Sequence, residues 1–248
     1  MTLRMELWVE GPTDARTRWR GGVEGEEERP PVEGGALVPL VRKVLESAEG
    51  MSRTALDEAL PEREMHAHRL QNRFRDITKL DDGERRRKLS LKGWKVLAAI
   101  DKARHQSPET LVVAVWDRDG EEAPLRDREL ILDALRKQGA SGAAVGICVE
   151  EIEAWLLADP GAFRRAFGRG PTSGLSSSPE DERDPKAKLD AVLAGYPNSD
   201  IDDRAAAFRR LAEAIDLETL ARSCPRGFGA FRDALRELIA PLLRGAQG

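Results

Sequence analysis

The six residues 111–116, LVVAVW, constrain the fold of this chain more than any other segment. They are apolar without interruption, rich in β-branched side chains, and bounded by Pro108 and Gly120, so they read as a buried strand. A strand with one wet face alternates apolar and polar residues. An unbroken apolar run points instead to a central parallel strand covered on both faces. Parallel neighbours need crossover connections of a dozen or more residues, usually helices, and the surrounding sequence supplies both parts. Residues 7–9 (LWV) read as a strand meeting the turn EGPTD, and residues 143–149 (AAVGICV) as another strand. Residues 36–49 carry a helical stripe of Leu37, Leu40, Val41, Val44 and Leu45, and residues 88–104 and 125–138 read as two more helices. Residues 54–77 read as a polar helical stretch broken at Pro61.

From residue 150 the sequence turns helical. EEIEAWLLA (residues 150–158) starts a helix, and Asp159-Pro160 pairs an N-cap residue with Pro at the first helical position, restarting the chain with Phe163 and Phe167 on one face. Further helical stretches follow at residues 185–193, 201–215 and 228–243. The expected architecture is therefore α/β: a mostly parallel sheet flanked by helices, with a C-terminal helical extension. The expected division is a core over residues 1–168, a linker over 169–184 and a helical region over 185–248. Within the core, the Gly-, Pro- and Glu-rich residues 15–35 (containing GGVEGEEERPPVEGG) read as a flexible insertion loop.

Composition narrows the class. With 40% hydrophobic and 34% charged residues over 248 positions, the chain can bury a sizeable core and is neither disordered nor fibrous. No apolar run approaches the roughly 20 residues that span a bilayer, and no secretory signal is expected from the N-terminal residues MTLRMELWVEG. Two cysteines, Cys148 and Cys224, make neither a disulfide framework nor a cysteine-rich zinc site, and a cytoplasmic location is expected. A net charge of −4 excludes a strongly basic nucleic-acid binder but not an enzyme with local basic strips. One such strip stands out: residues 62–92 hold ten basic and six acidic residues, including the run Arg85, Arg86, Arg87, Lys88. That run reads either as a solvated helical face or as a strip contacting phosphates.

Three acidic groups close the three apolar strands: Glu10 after the first, Asp117 and Asp119 after residues 111–116, and Glu150, Glu151 and Glu153 after residues 143–149. Alternate positions at a strand end put Asp117 and Asp119 on one side. Oxygen-only carboxylates converging on one rim are what Mg²⁺ or Mn²⁺ requires. The plainer reading is that each group caps the helix that follows. His66 and His68 form an HxH without an evident third ligand, and no Walker A sequence is present.

The order of these motifs resembles the TOPRIM domain of topoisomerases, primases and overcoming-lysogenization-defect nucleases. Its signature is a Glu after the first strand, here in VEGPTD (residues 9–14), and a DxD after a later one, here in VWDRDG (residues 115–120). EEIEAWLLADP (residues 150–160) resembles the hallmark of a bacterial TOPRIM-like family catalogued as domain of unknown function 4276. The resemblance covers residues 5–168 and implies a TOPRIM-like, Rossmann-like fold and a Mg²⁺- or Mn²⁺-dependent nuclease cleaving DNA or RNA. By it, Glu10 is a metal ligand or general acid/base, Asp117 and Asp119 hold the principal metal, and Glu151 or Glu153 completes the site. Arg85, Arg86, Arg87 and Lys88 are the candidate nucleic-acid contacts. One departure is that residues 15–35 intervene where the family runs almost directly into its first helix, which detaches Asp14 from the expected site. The resemblance also implies work in phage defence beside an ABC- or AAA-type ATPase on a separate polypeptide, and it leaves a homo-oligomer open. Two alternatives stand beside it. One is a non-catalytic TOPRIM-like binding or assembly subunit. The other is a haloacid-dehalogenase-like phosphatase, whose DxD motif normally opens the fold, whereas here it lies mid-chain.

Overall fold

The computed structural model describes residues 4–9, 35–48, 52–61, 64–69, 88–106, 110–118, 122–137, 143–148, 151–170, 175, 177–199 and 203–245. Among these residues four strands, β1 (Met5–Val9), β2 (Met65–Arg69), β3 (Leu111–Asp117) and β4 (Ala143–Cys148), pair in parallel throughout, in the order β2-β1-β3-β4. Helices α1 (Leu37–Glu46) and α2 (Arg53–Ala59) lie between β1 and β2, α3 (Leu91–Gln106) between β2 and β3, and α4 (Ala123–Lys137) between β3 and β4. After β4 come α5 (Ile152–Leu157), α6 (Pro160–Phe167), α7 (Pro185–Ala194), α8 (Arg204–Ala214), α9 (Leu217–Ser223) and α10 (Ala230–Gly245). Among the described residues no helix is long and apolar enough to cross a membrane.

The two-residue period of the strands divides the core into two layers. Leu7, Val9, Val113, Val115 and Cys148 face one way and pack with Leu40 and Val44 of α1 and with apolar residues of α5 to α10. Trp8, Val112, Ala114, Trp116, Val145 and Ile147 face the other way, against Val96 and Ile100 of α3 and Ile131 and Leu135 of α4. Residues 111–116 are buried on both faces, which is why that run carries no polar alternation. The helical half of the chain is part of the first layer: Phe163, Leu193, Phe208, Leu220 and Phe231 join the same apolar cluster as the strands. Gly146 makes one of these contacts. A Cβ there would lie 2.6 Å from Cδ2 of Phe231, so only a glycine lets α10 settle on β4.

One expectation is overturned. Residues 65–69 are not helical but form β2, pairing Met65 with Met5 and His66 with Glu6. Among the described residues β2 is an edge strand with a single neighbour, so MHAHR never needed the apolar run that marks β3. Hydrogen bonding to β1 decides its conformation, and local sequence does not.

Because all four strands are parallel, their carboxyl ends share one edge of the sheet. The connection after β1 carries α1 on one face, while the connections through α3 and α4 lie on the other. In such open sheets the crevice opens where the winding reverses, here between β1 and β3.

Candidate active site at the carboxyl edge of the sheet

Asp117 is the last residue of β3 and pairs with Cys148, the last of β4. The backbone N–H of Arg118 donates to the Cys148 carbonyl at 2.9 Å, so the two strand ends are held in register up to the point where Asp117 leaves the sheet half-buried. The Arg118 guanidinium pairs with Glu122, at the start of the crossover to α4. On the other side of β3, Val9 of β1 pairs with Val115. The neighbouring strands β1, β3 and β4 are therefore those that the sequence follows with Glu10, with Asp117 and Asp119, and with Glu151 and Glu153.

Glu151 stands at the N-cap of α5 with an extended backbone, yet its carboxylate makes no capping hydrogen bond. Glu153 lies in the first turn of α5, and only 6% of it is exposed. Burial pushes the Glu153 carboxyl above the usual carboxylate range, and the nearby Glu151 charge adds to the rise. A hydrogen bond from its own backbone and the charges of Arg204 and Lys186 pull the other way. Arg204 starts α8 and Lys186 lies in the first turn of α7, so cations from the helical half flank this acidic helix. Nothing in the local sequence signals that juxtaposition, because it depends on how α5 packs against α7 and α8.

Below the acids, α5 is anchored by aromatic packing. Trp155 stacks on Phe231 with ring centroids 5.7 Å apart and meets Phe228 edge-on at 5.2 Å. Trp155 and Leu156 are fully buried. Next to this cluster the buried Glu180 carboxylate accepts from the backbone N–H groups of Gly227 (2.6 Å) and Arg226 (3.2 Å) and from the Arg226 Nε (3.2 Å). A Cβ on Gly227 would sit 2.9 Å from Glu180 Oε1, the Ile147 carbonyl and Trp155 Nε1. This lock closes around the end of β4 and holds α5 where it is.

Glu10, Asp14, Asp119, Glu150 and Arg85 to Arg87 lie outside the described residues. Lys88 is described and is exposed just ahead of α3. Among the described residues no three His, Cys, Asp or Glu side chains come close enough to hold a metal ion, so Asp117, Glu151 and Glu153 make no metal site by themselves. The donor chemistry still suits a hard divalent cation, since every acid at this edge offers oxygen alone. His66 and His68 lie on β2, opposite Glu6 and Trp8. The family model described as "Domain of unknown function (DUF4276)" matches residues 32–236, a span that includes Asp117, Asp119, Glu151 and Glu153 and begins after Glu10. No curated protein and no solved structure matches the chain significantly.

Proposed function

The chain belongs to the family of domain of unknown function 4276, and we propose that it is a TOPRIM-type nuclease that cleaves DNA or RNA phosphodiester bonds with Mg²⁺ or Mn²⁺. One observation carries the reading: the three adjacent strands β1, β3 and β4 all run toward one edge, and the sequence continues each of them with carboxylates. Asp117 and Asp119 would hold the metal, with Glu10 as a further ligand or acid/base group and Glu151 or Glu153 completing the set. When bound, the metal would polarise the phosphate and stabilise charge on the leaving oxygen. The chain's own residues then have distinct tasks. The β3–β4 pairing fixes Asp117, the α5 helix carries Glu151 and Glu153 to the same edge, and the Trp155 cluster keeps α5 from shifting. Arg85, Arg86, Arg87 and Lys88 would contact backbone phosphates. Phage defence beside an ABC- or AAA-type ATPase belongs to the same reading, and these 248 residues carry no Walker A sequence of their own.

The test is incubation of the chain with plasmid, linear DNA and tRNA in Mg²⁺, Mn²⁺ or chelator, beside Asp117→Asn and an Asp117→Asn/Asp119→Asn double variant. Cleavage should depend on the divalent ion and fall at least about 100-fold in Asp117→Asn, corresponding to loss of several kcal/mol of charge stabilisation. The variants should fold as stably as the native chain or more so, because removing a carboxylate from an acidic rim relieves repulsion. Mg²⁺ should raise the Tm of the native chain and not of the double variant. Cleavage retained by the double variant would remove Asp117 and Asp119 from the site. A chain that binds nucleic acid without ever cutting it would be a binding subunit, and a trapped acyl-phosphate on Asp117 would make it a phosphatase.

A further inference from the structure

Helix α5 packs against both α7 and α8, whose first turns carry Lys186 and Arg204. The cations there are not equivalent. Arg204 is ion-paired with Asp190 and lies 5.6 Å over the ring of Phe208, so it serves the fold. Lys188 lies 4.0 Å from Glu182. Arg183 and Lys186 are exposed, and neither has an ion pair or hydrogen bond with another described residue. The N–H of Ala187 is already taken by the exposed Asp184 carboxylate at 2.9 Å, so at this helix start a phosphate would be met by the two cationic side chains and not by that N–H.

An acidic rim repels a polyanion, and at physiological ionic strength a charge is screened beyond about 8 Å. Cations that offset this repulsion must therefore stand close to the carboxylates, and Lys186 is close enough for its charge to act on Glu153. Lysine on a flexible stem suits a phosphate without reading the base attached to it. We infer that Lys186, assisted by Arg183, is a substrate-positioning contact: it holds a backbone phosphate of the nucleic acid beside the strand-end carboxylates, which gives the C-terminal helical region a part in binding. This rests on the nuclease reading above and adds to it a second phosphate-contacting surface, separate from Arg85 to Lys88.

The experiment uses the full chain, with labelled single-stranded DNA and tRNA as probes. Binding is followed by anisotropy across a salt series in chelator, and cleavage is followed in Mg²⁺. Lys186→Ala should weaken binding by a similar factor for every probe sequence and reduce the slope of log affinity against log salt by about 1. It should raise KM with little change in kcat, and Lys186→Arg should restore both affinity and slope. Lys186 is exposed, so the variants should keep the native Tm. Unchanged affinity and slope in Lys186→Ala, with native cleavage intact, would overturn this inference alone. A native chain that binds with a Lys186-dependent slope but never cleaves would overturn the nuclease reading and leave this contact standing. A native chain that neither binds nor cleaves would overturn both.

Discussion

The helical half of the chain and the carboxyl edge of the sheet use the same residue types in opposite ways. Helices α6, α7, α8 and α9 each begin on an aspartate whose carboxylate accepts a backbone N–H of the first turn: Asp159 from Gly161 at 2.8 Å, Asp184 from Ala187 at 2.9 Å, Asp203 from Ala206 at 3.1 Å and Asp216 from Thr219 at 2.7 Å. Helix α5 begins on Glu151, which makes no such bond, and its next acid, Glu153, is buried. The electrostatics follow. Hydrogen bonds from Thr219 hold the Asp216 carboxyl below its usual range, whereas burial lifts that of Glu153. In one region a carboxylate is placed where its charge is welcome, and in the other where its charge opposes folding. Acids that cost stability at the mouth of a parallel sheet are the ones to suspect of chemistry.

That contrast can be broken most forcefully at Asp159. Its buried carboxylate caps α6, accepts the Asp216 N–H at 2.9 Å and pairs with Arg165. Asp159→Ala should lower stability by about 2 kcal/mol, because the loss of a cap is joined by the loss of the part-buried Asp216 hydrogen bond and the Arg165 ion pair. A denaturant titration showing a change under about 0.5 kcal/mol would mean that this aspartate is not structural after all.

Asp184 offers the same cap at an exposed position, with no second helix among the described residues bonded to its carboxylate. Asp184→Ala should therefore cost about 1 kcal/mol. A loss matching that of Asp159→Ala would show that burial is not what separates the two.

Glu153→Gln is the smallest change and has the opposite sign. The folded-state affinity of Glu153 for a proton is raised, so its stabilising contribution is complete below the ordinary glutamate range and is lost as pH climbs through the raised value. A glutamine at 153 cannot ionise and escapes that loss. In the absence of metal the variant should match the native Tm in acid and exceed it at neutral pH, by about 2–4 °C for each kcal/mol relieved. A neutral-pH Tm at or below the native value would mean that Glu153 is held ionised by its neighbours.

The layered α/β core was readable wherever burial left its mark on composition. Residues 111–116 show it on both faces, and Leu37, Leu40, Val41, Val44 and Leu45 show it on one face of α1, where all five are buried. Asp159-Pro160 was readable as a helix start because capping is a local interaction, and the cap is there. β2 was not readable, since MHAHR becomes a strand through its pairing with β1, and a chain segment carries no record of a partner so distant in sequence. The acidic residues at the strand ends could be picked out singly, but not the fact that β1, β3 and β4 are neighbours, which follows from the strand order. Lys186 and Arg204 carried no local signal at all: their proximity to Glu153 is produced by tertiary packing of helices.

The close fit of Phe231 over Gly146 also bears on how the protein is made. Strand β4 leaves the ribosome long before α10 does, so during synthesis the patch of sheet beneath Phe231 has no cover. A nascent chain paused before residue 230 shows this apolar patch to water or to a chaperone, the type of surface on which partly folded chains associate. Trp155 rests on the same Phe231 ring, so helix α5 and the acids it carries acquire their final support only when that late helix docks. Translation thereby imposes an order of events in which the acidic edge is completed after the sheet that bears it, and a truncated chain should emerge with its strands paired and its carboxylates unsupported.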